Sequence, residues 1–434
     1  MKKHIYLLLL FSFTLTTQAQ ETVPITKKAL LLKVSEDNIT IKISEQEFNK
    51  AKADYNQTNA VFLPNISASY TGISTTNPLM AFGSKLNQEI LTQNDFNPAL
   101  LNDPTTTRNF ATKIEIQQPL INLDGFYQRK AAKTKMEAMS LQSSRTADYL
   151  TFEVEKSFMQ LQLAYKAVEV LELALEAAEA NKKIATNNFE EGYLQQADIL
   201  NVDVRITEVK NQLQTSKSNL QNASNYLSFL MNDNEFVVYK PVEDLTIATF
   251  NMDEKNISEN RADIKAMQLA SNAYEEMNKA DKMTFLPRLS AFGSYEIYDN
   301  KVFQGDANGY LIGAQLSWDI FQGSKRFGKA QKSKAEFEQS KLEYTQYVSK
   351  SNLELNKVKR QLIDAKNRLE LTGLAVEQSK ESLRIRKNRF KEGLEKTSDL
   401  LVAETQFAQK QLEYYQTIFE YNYTQTYLEF LTKN

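Results

Sequence analysis

The stretch "FEEGYLQQADIL" at residues 189–200 is written a second time, with substitutions, as "FKEGLEKTSDLL" at residues 390–401. Phe, Glu, Gly, Asp and Leu recur at matching steps, and each stretch places a glycine between two polar segments. A glycine in this setting is typical of a chain that reverses direction between two helices. The chain therefore contains the same predicted helix-to-helix turn twice.

The duplication extends over most of the chain. "YLSFL" at 226–230 recurs as "YLEFL" at 427–431, at the same distance from each turn, and "FLPNISA" at 62–68 recurs as "FLPRLSA" at 285–291. Self-similarity of this kind indicates two copies of one structural unit, each with a helix, a β-hairpin and a long helical hairpin. The predicted first repeat, linker and second repeat are residues 20–231, 232–257 and 258–434.

Each repeat contains a long helical pattern. Apolar residues recur at steps of three and four through residues 124–192 and again through 323–390, on one heptad frame. At ~1.5 Å per residue, each helix would be roughly 100 Å long. A stripe this narrow is most often that of an ordinary bundle or coiled coil, with the other faces in water. Further helices are predicted at 195–231, 395–433, 27–62 and 258–286.

Four short segments alternate between apolar and polar residues. In "NISASYTGI", for example, Ile66, Ala68 and Tyr70 alternate with serine and threonine. Apolar residues on one face and polar residues on the other fit either a water-filled membrane barrel or a soluble sheet with one buried face. Four strands are too few to close a barrel, so a barrel would need several chains. The predicted strands are residues 65–73, 109–117, 289–297 and 310–320.

The N-terminus, "MKKHIYLLLLFSFTLTTQAQ", has two lysines, an apolar run and small or polar residues up to Ala19. This pattern predicts a secretory signal peptide over residues 1–19, with an uncleaved anchor helix as the alternative. No later apolar run approaches the roughly 18 to 20 residues that a transmembrane helix needs. If the exported chain enters a membrane, we expect it to do so through β-strands.

Composition excludes several kinds of chemistry. The chain has no cysteine, and its single histidine, His4, lies in the predicted signal peptide. Zinc sites and nucleophiles activated by histidine therefore have no candidate residues, although a carboxylate enzyme stays formally possible. The net charge of -2 gives no electrostatic reason to expect a nucleic-acid partner. We predict no catalytic residue, no metal site and no cofactor.

Several motifs, in order along the chain, carry a resemblance to a known family. They are the "FLPNISA" and "FLPRLSA" junctions, the hairpin exits at "QPL" and "WDIF", "NRADIKAMQLA" at 260–270, and the paired "EG…DLL" turns. Together they resemble the TolC family of outer membrane efflux proteins. The resemblance implies a mainly α-helical chain with four strands that forms a homotrimer. Three chains would build a twelve-stranded outer membrane barrel and a periplasmic α-helical barrel.

The same resemblance implies partners and roles for the turn residues. The helical tip would dock to a periplasmic adaptor protein, itself attached to an inner-membrane pump or exporter. The glycines could also simply end helices, and we expect that role as well. The residues that match the docking tip are Gly192, Tyr193, Leu194, Gly393 and Leu394.

Two aspartates and one tryptophan have further predicted roles. Asp198 and Asp399 match acidic residues near the periplasmic entrance, where three copies of Asp399 would form a carboxylate ring that favours cations. Both could instead cap the helices that begin beside them, which is the favoured reading for Asp198. Trp318, the only tryptophan, fits an aromatic belt at the membrane interface.

Two functions remain open from the sequence. The first is a passive exit duct in the outer membrane, in contact with its lipid, for efflux or type I secretion. The second is an exported coiled-coil scaffold without transport activity. The scaffold explains the heptads but not the alternating strands or the repeated junctions. Neither reading identifies the cargo, the adaptor or the contacts that close the entrance.

Overall fold

The computed structural model describes residues 22–234, 237–249 and 256–433. The predicted signal peptide, residues 1–19, and part of the predicted linker lie outside these ranges. The chain divides into two compact units. The first combines residues up to 43, 145–258 and 350–434, and the second combines residues 44–144 and 259–349.

Most of the described chain is helical. The two predicted long helices are present, and among the described residues no helix is both long and apolar enough to cross a membrane. The helices are α1 (Lys27–Asp37), α2 (Ile39–Gln57), α3 (Pro78–Asn87), α4 (Pro98–Asn102), α5 (Leu123–Glu190), α6 (Gln196–Leu230), α7 (Ala262–Met283), α8 (Lys325–Lys391) and α9 (Thr397–Thr432). The strands are β1 (Thr22–Ile25), β2 (Asn65–Thr75), β3 (Thr107–Ile121), β4 (Val238–Pro241), β5 (Arg288–Asp299) and β6 (Ala307–Ser317).

The heptad positions form the core of the first unit. Leu161 of α5 and Leu227 of α6 are fully buried in one cluster with Leu30 of α1. Val358 of α8 and Leu428 of α9 are buried in an equivalent cluster of the second repeat. Because apolar side chains three or four residues apart lie on one face of a helix, these stripes pack each long helix against its shorter return helix.

The predicted helix at 27–62 is interrupted at Asn38. The backbone of Asn38 is extended, and its side-chain Nδ2 donates to the carbonyl oxygen of Leu230 at 2.7 Å. Asn38 is buried, so this bond satisfies one of the carbonyl groups that the end of α6 leaves free. The end of α6 and the break between α1 and α2 therefore meet in the first unit.

A small parallel sheet in the first unit has no counterpart in the predictions. β1 pairs with β4 from Thr22 opposite Val238 to Ile25 opposite Pro241. Each strand has only four residues, and Tyr239 contributes its buried ring to the same cluster as Leu161. Part of the segment expected to be a loop-like linker is thus a strand.

The four predicted strands form one antiparallel sheet in the second unit, in the order β2-β3-β5-β6. The register places Ile66 opposite Ile116 and Ser67 opposite Glu115. Across the next pair, Lys113 lies opposite Glu296, and their side chains form an ion pair. The apolar and polar residues of neighbouring strands therefore share faces, as the alternation predicted. β2 and β6 are the outer strands of this sheet.

The long connection between β2 and β3 is partly helical. It contains α3 and α4, and Asn77 caps α3 by accepting a hydrogen bond from the backbone of Met80 at 3.2 Å. The buried side chain of Gln88 donates to the carbonyl oxygen of Arg108 at 2.8 Å and to that of Asp299 at 3.2 Å. One amide thus fixes this connection to the ends of β3 and β5.

Candidate functional site at the two helix turns

The first turn ends α5 with a glycine in the left-handed conformation. Gly192 has φ 83°, and its N–H donates to the carbonyl oxygen of Phe189 at 2.9 Å. The N–H of Tyr193 donates to the carbonyl oxygen of Asn188 at 2.8 Å. These two bonds form a Schellman motif, which satisfies carbonyl groups at the end of α5 and reverses the chain toward α6.

The second turn repeats this geometry. Gly393 has φ 70°, its N–H donates to the carbonyl oxygen of Phe390 at 3.1 Å, and the N–H of Leu394 donates to that of Arg389 at 2.9 Å. Residues with a Cβ atom rarely adopt this backbone conformation. Each glycine of the repeated motif therefore ends a helix, which is one of the two roles expected for it.

The side chains that follow the glycines differ in exposure. Tyr193 is 77% exposed and Leu394 is 66% exposed, so each turn presents one apolar side chain to solvent. Leu194 is half-buried and packs against the apolar cluster beneath the turns. The tip residues predicted together thus separate into two exposed side chains and one that belongs to the core.

One apolar cluster lies beneath both turns. Ala185 of α5, Val202 of α6, Phe390 of α8 and Leu400 of α9 are all buried in it. Phe189, which matches Phe390 in the repeated motif, is instead 41% exposed. The cluster therefore holds the two helical hairpins side by side, although the two copies of the motif are not packed identically.

Asp198 lies in the first turn of α6 and caps that helix. Its Oδ2 accepts a hydrogen bond from the backbone N–H of Gln195 at 3.1 Å. A carboxylate at this position satisfies a free amide and also interacts favourably with the positive end of the helix dipole. The capping role expected for Asp198 therefore has its hydrogen bond in the structure.

Asp399 lies at the matching place in α9 but has a different neighbour. Its Oδ2 is 4.0 Å from Nη1 of Arg386, and its side chain is half-exposed. The favourable helix dipole acts on Asp399 as it does on Asp198. Asp399 thus combines a place in the first helical turn with an exposed carboxylate, so both roles predicted for it stay open.

Two arginines hold the second turn through a glutamate. Glu395 accepts hydrogen bonds from Arg386 at 2.6 Å and from Arg389 at 2.8 Å. Arg389 also donates to the carbonyl oxygen of Leu394 at 3.1 Å, and the side chain of Glu395 is only 10% exposed. Charge-assisted bonds of this kind, partly shielded from water, are stronger than those of an exposed pair.

This arginine cluster distinguishes the second turn from the first. The positions that match Arg386, Arg389 and Glu395 in the first repeat hold alanine, asparagine and leucine. The sequence carries a signal for such a cluster, because two basic residues three apart on one helix are followed by an acidic residue past the turn. The second turn is therefore tied by ion pairs and the first by an apolar contact.

Trp318 lies in the second unit, directly after β6. Its ring is 58% exposed, and its Nε1 donates to the carbonyl oxygen of Phe285 at 3.0 Å. This bond joins the residue after β6 to the short segment between α7 and β5. Among the described residues, no group of three or more acidic or histidine side chains is arranged to hold a metal ion.

Comparison with known proteins gives a family. The sequence pattern of one protein family, described as "Outer membrane efflux protein", matches residues 30–233 and 255–430 of this chain. A comparison with curated protein sequences gives no match.

Solved structures resemble the fold over nearly its whole length. A membrane protein from Pseudomonas aeruginosa has a TM-score of 0.81 and 16% identity, and the match covers 94% of this chain and 92% of that one. The CmeC outer membrane channel of Campylobacter jejuni has a TM-score of 0.79 and 14% identity, with 94% and 85% covered. The outer membrane protein VceC of Vibrio cholerae has the same score and identity, with 94% and 96% covered. At these identities the likeness establishes the fold.

Replacing Gly393 with alanine tests the geometry of the turn. A Cβ atom there meets no neighbour within 4 Å, so the cost comes from the positive φ alone and should be ~1–2 kcal/mol. Gly328 is a matched control, because it lies inside α8 and its Cβ would also meet nothing. Gly328→Ala should stabilise the protein by about 0.5–1 kcal/mol.

Denaturant unfolding of the detergent-solubilised protein, followed by circular dichroism, measures both changes. Opposite shifts of the two midpoints are expected. Equal shifts in one direction would contradict the left-handed turn at Gly393.

Proposed function

The chain belongs to the outer membrane efflux protein family, and from this premise we propose that it is the trimeric exit duct of a tripartite efflux or type I secretion system. In this proposal the duct has no catalytic residue of its own. It docks through its two helix turns to a periplasmic adaptor, which links it to an inner-membrane pump or exporter. The two repeats, 20–231 and 258–434, each supply one hairpin of strands and one hairpin of helices, and residues 232–257 connect them.

Membership of the family confirms the resemblance found in the sequence and the predicted location in the outer membrane. It also favours an exit duct over an exported scaffold, because the family is one of efflux proteins. The trimer and the partners are proposals, supported by the outer strands of the sheet and by the exposed side chains at the two turns.

The outer strands of the sheet support assembly from several chains. β6 exposes Tyr310 and Ile312, at 80% and 77%, and β2 exposes Ile66 at 63%. A strand at the edge of a sheet leaves a row of N–H and C=O groups without partners, which readily pair with another chain. We propose that β2 and β6 pair with the strands of neighbouring copies, and that three chains close a twelve-stranded barrel.

The exposed apolar residues at the turns are the observation that carries the docking proposal. Tyr193 and Leu394 occupy matching positions after the two glycines, and both are mostly exposed although large apolar side chains favour burial. Aromatic residues are prominent among those that dominate binding energy at protein interfaces. We propose that these two side chains contact a helical hairpin of the adaptor, with Gly192 and Gly393 setting their direction and Leu194 supporting the first turn from beneath.

The aspartates near the turns are proposed to line the periplasmic entrance. Asp198 is engaged with the backbone of Gln195, so its main contribution is structural. Asp399 keeps an exposed carboxylate at 4.0 Å from Arg386. Three copies around an axis would form a ring of negative charge that concentrates cations and that a multivalent cation would block.

Trp318 is proposed to anchor the chain at the membrane interface. Its ring is exposed, and the hydrogen bond from its Nε1 keeps the polar end of the indole satisfied. Tryptophan is enriched at such interfaces because one part of the ring is apolar and the other is polar. Lipid of the outer membrane would cover the exposed ring.

Photo-crosslinking in cells tests the docking proposal. We replace Tyr193 or Leu394 with benzoylphenylalanine and expect one discrete adduct with a periplasmic protein that contains a helical hairpin. Leu374 of α8, also exposed at 57%, is the matched control position. Because interface contacts concentrate at few residues, the yield at the turns should exceed that at Leu374 by about tenfold or more.

Mass spectrometry identifies the captured protein, and a periplasmic protein that contains a helical hairpin would support docking through the turns. No adduct at either turn, or one with equal yield at Leu374, would contradict docking through the turns.

The entrance proposal predicts a weaker cation block in Asp399→Asn. Conductance across a planar bilayer is measured with increasing hexaamminecobalt(III) on the periplasmic side. Removing three charges from a ring should raise the half-blocking concentration at least ~10-fold. Asp244→Asn is the control, because Asp244 is an exposed carboxylate of the first unit that pairs with Lys166.

Asp244→Asn should leave the block unchanged. An unchanged block in Asp399→Asn, or equal changes in both variants, would exclude Asp399 from the conducting path.

A further inference from the structure

A glutamate is buried among the helices close to the turns. Glu404 lies in the second turn of α9, about 10 Å along the helix from its start at ~1.5 Å per residue. Its side chain is buried, and so is that of Asn181 in α5. The amide Nδ2 of Asn181 donates a hydrogen bond to Oε1 of Glu404. This bond joins the first long helix to the last helix of the chain within one unit.

The other two oxygen atoms of this pair lack a donor. Neither Oε2 of Glu404 nor Oδ1 of Asn181 accepts a hydrogen bond from any residue that the structure describes, and both atoms are buried. A buried acceptor without a donor is costly, and a buried carboxylate charge is more costly still. One proton would remove both costs, since a carboxylic acid and an amide can form two complementary hydrogen bonds in a ring.

We propose that Glu404 is protonated in the folded protein and donates from Oε2 to Oδ1 of Asn181, so that an acid–amide pair locks α5 to α9 beneath the turns. Loss of the proton removes this second hydrogen bond and leaves a negative charge in the helical core. The pair therefore holds α5 and α9, two of the helices that carry the turns, together in a pH-dependent way.

The charged groups around Glu404 do not replace the proton. Arg205 of α6 and Lys387 of α8 act on it through space, and α5 faces it with the neutral Asn181. Arg205 is itself 3.6 Å from Glu208. Burial raises the pKa of Glu404 to about 7, against the lowering effects of Lys387 and Arg205. Desolvation thus outweighs attraction, because burial disfavours the charged form of a carboxyl group.

The direction of the pH effect follows from this raised pKa. The ordinary pKa of a glutamate is 4.5, so between pH 4.5 and about pH 7 Glu404 holds a proton in the folded protein that it releases in the unfolded chain. The contribution of Glu404 to the free energy of unfolding is then greatest at low pH, falls as pH rises through this interval, and is level above it. An ordinary salt-bridged carboxylate gives the opposite slope.

The first repeat provides a built-in comparison. Its residue at the position of Glu404 is Asp203, which is 42% exposed in its side chain and pairs with Lys182 at 2.6 Å. The two copies of the repeat therefore place a carboxyl group at the same step after the turn, but only the second copy buries it. Exposed ion pairs contribute little to stability, so replacing Asp203 should change the stability of the protein little.

The test compares unfolding of the full-length protein, in mild detergent, at about pH 5 and about pH 8. Glu404→Gln keeps the size of the side chain and supplies a permanent amide donor to Asn181. The other titrating groups of the protein are shared by wild type and the two variants. The readout is therefore the difference in the free energy of unfolding between each variant and wild type at each pH. Glu404→Gln should gain stability relative to wild type from pH 5 to pH 8, whereas Asp203→Asn should show no such gain.

Infrared spectroscopy of the wild type gives an independent measurement that does not depend on a variant. A carbonyl stretch of a buried protonated carboxyl group should be present at about pH 5, decline through about pH 7, and be absent from Glu404→Gln over the same range, where exposed carboxyl groups are mostly ionised. A wild type without this band at low pH, or a Glu404→Gln variant with no relative gain at high pH, would overturn the proposal. Neither readout requires export activity, so failure here is distinct from failure of the proposed duct.

Discussion

Each outer strand of an open antiparallel sheet leaves backbone N–H and C=O groups without partners, and this constraint acts on β2 and β6. Together they form the two edges of a four-stranded sheet, and Tyr310 and Ile312 of β6 are largely exposed. Such an edge is a template for pairing with another chain. Assembly into a closed ring of copies would satisfy the edges, and the same symmetry would bring the helix turns of each copy around one axis. The duct proposed for this member of the outer membrane efflux protein family follows from that closure.

The two turns show how a duplicated sequence acquires different properties in its two copies. Both copies retain the glycine that ends a long helix, and both expose one apolar side chain after it. The second copy adds the ion pairs of Glu395 with Arg386 and Arg389, and it buries Glu404 where the first exposes Asp203. Charged and polar contacts therefore stabilise the second hairpin, whereas the apolar contact of Leu194 stabilises the first at its turn.

Features with a strong period could be predicted from the sequence. The helix predicted at 124–192 is observed as Leu123–Glu190, because a heptad pattern over many turns fixes both the element and its buried face. Strands with clear alternation were placed within a few residues for the same reason. β1 and β4 were missed because four residues carry no periodic signal and their partners are far apart in the chain. The short helices α3 and α4 were missed because they lie between two predicted strands and are too short to show a helical period.

The candidate site was predictable only in part. The repeated motif located both turns, and glycine alone explains their backbone. It could not show that Leu194 is half-buried while Tyr193 is exposed, since the two are adjacent and both apolar. Nor could it show that Glu404 is buried, because charged residues of a helix are expected to face water. These differences depend on which helices pack together, and a sequence pattern for one helix does not contain that information.

The native mass of the detergent-extracted protein, with the detergent contribution subtracted and without cross-linker, tests the central claim most directly. A closed ring of three copies predicts a mass near three times that of one chain, found in the outer membrane fraction. A monomer or dimer that stays soluble without detergent would contradict it, because the edges of β2 and β6 would then lack the partners on which the duct depends.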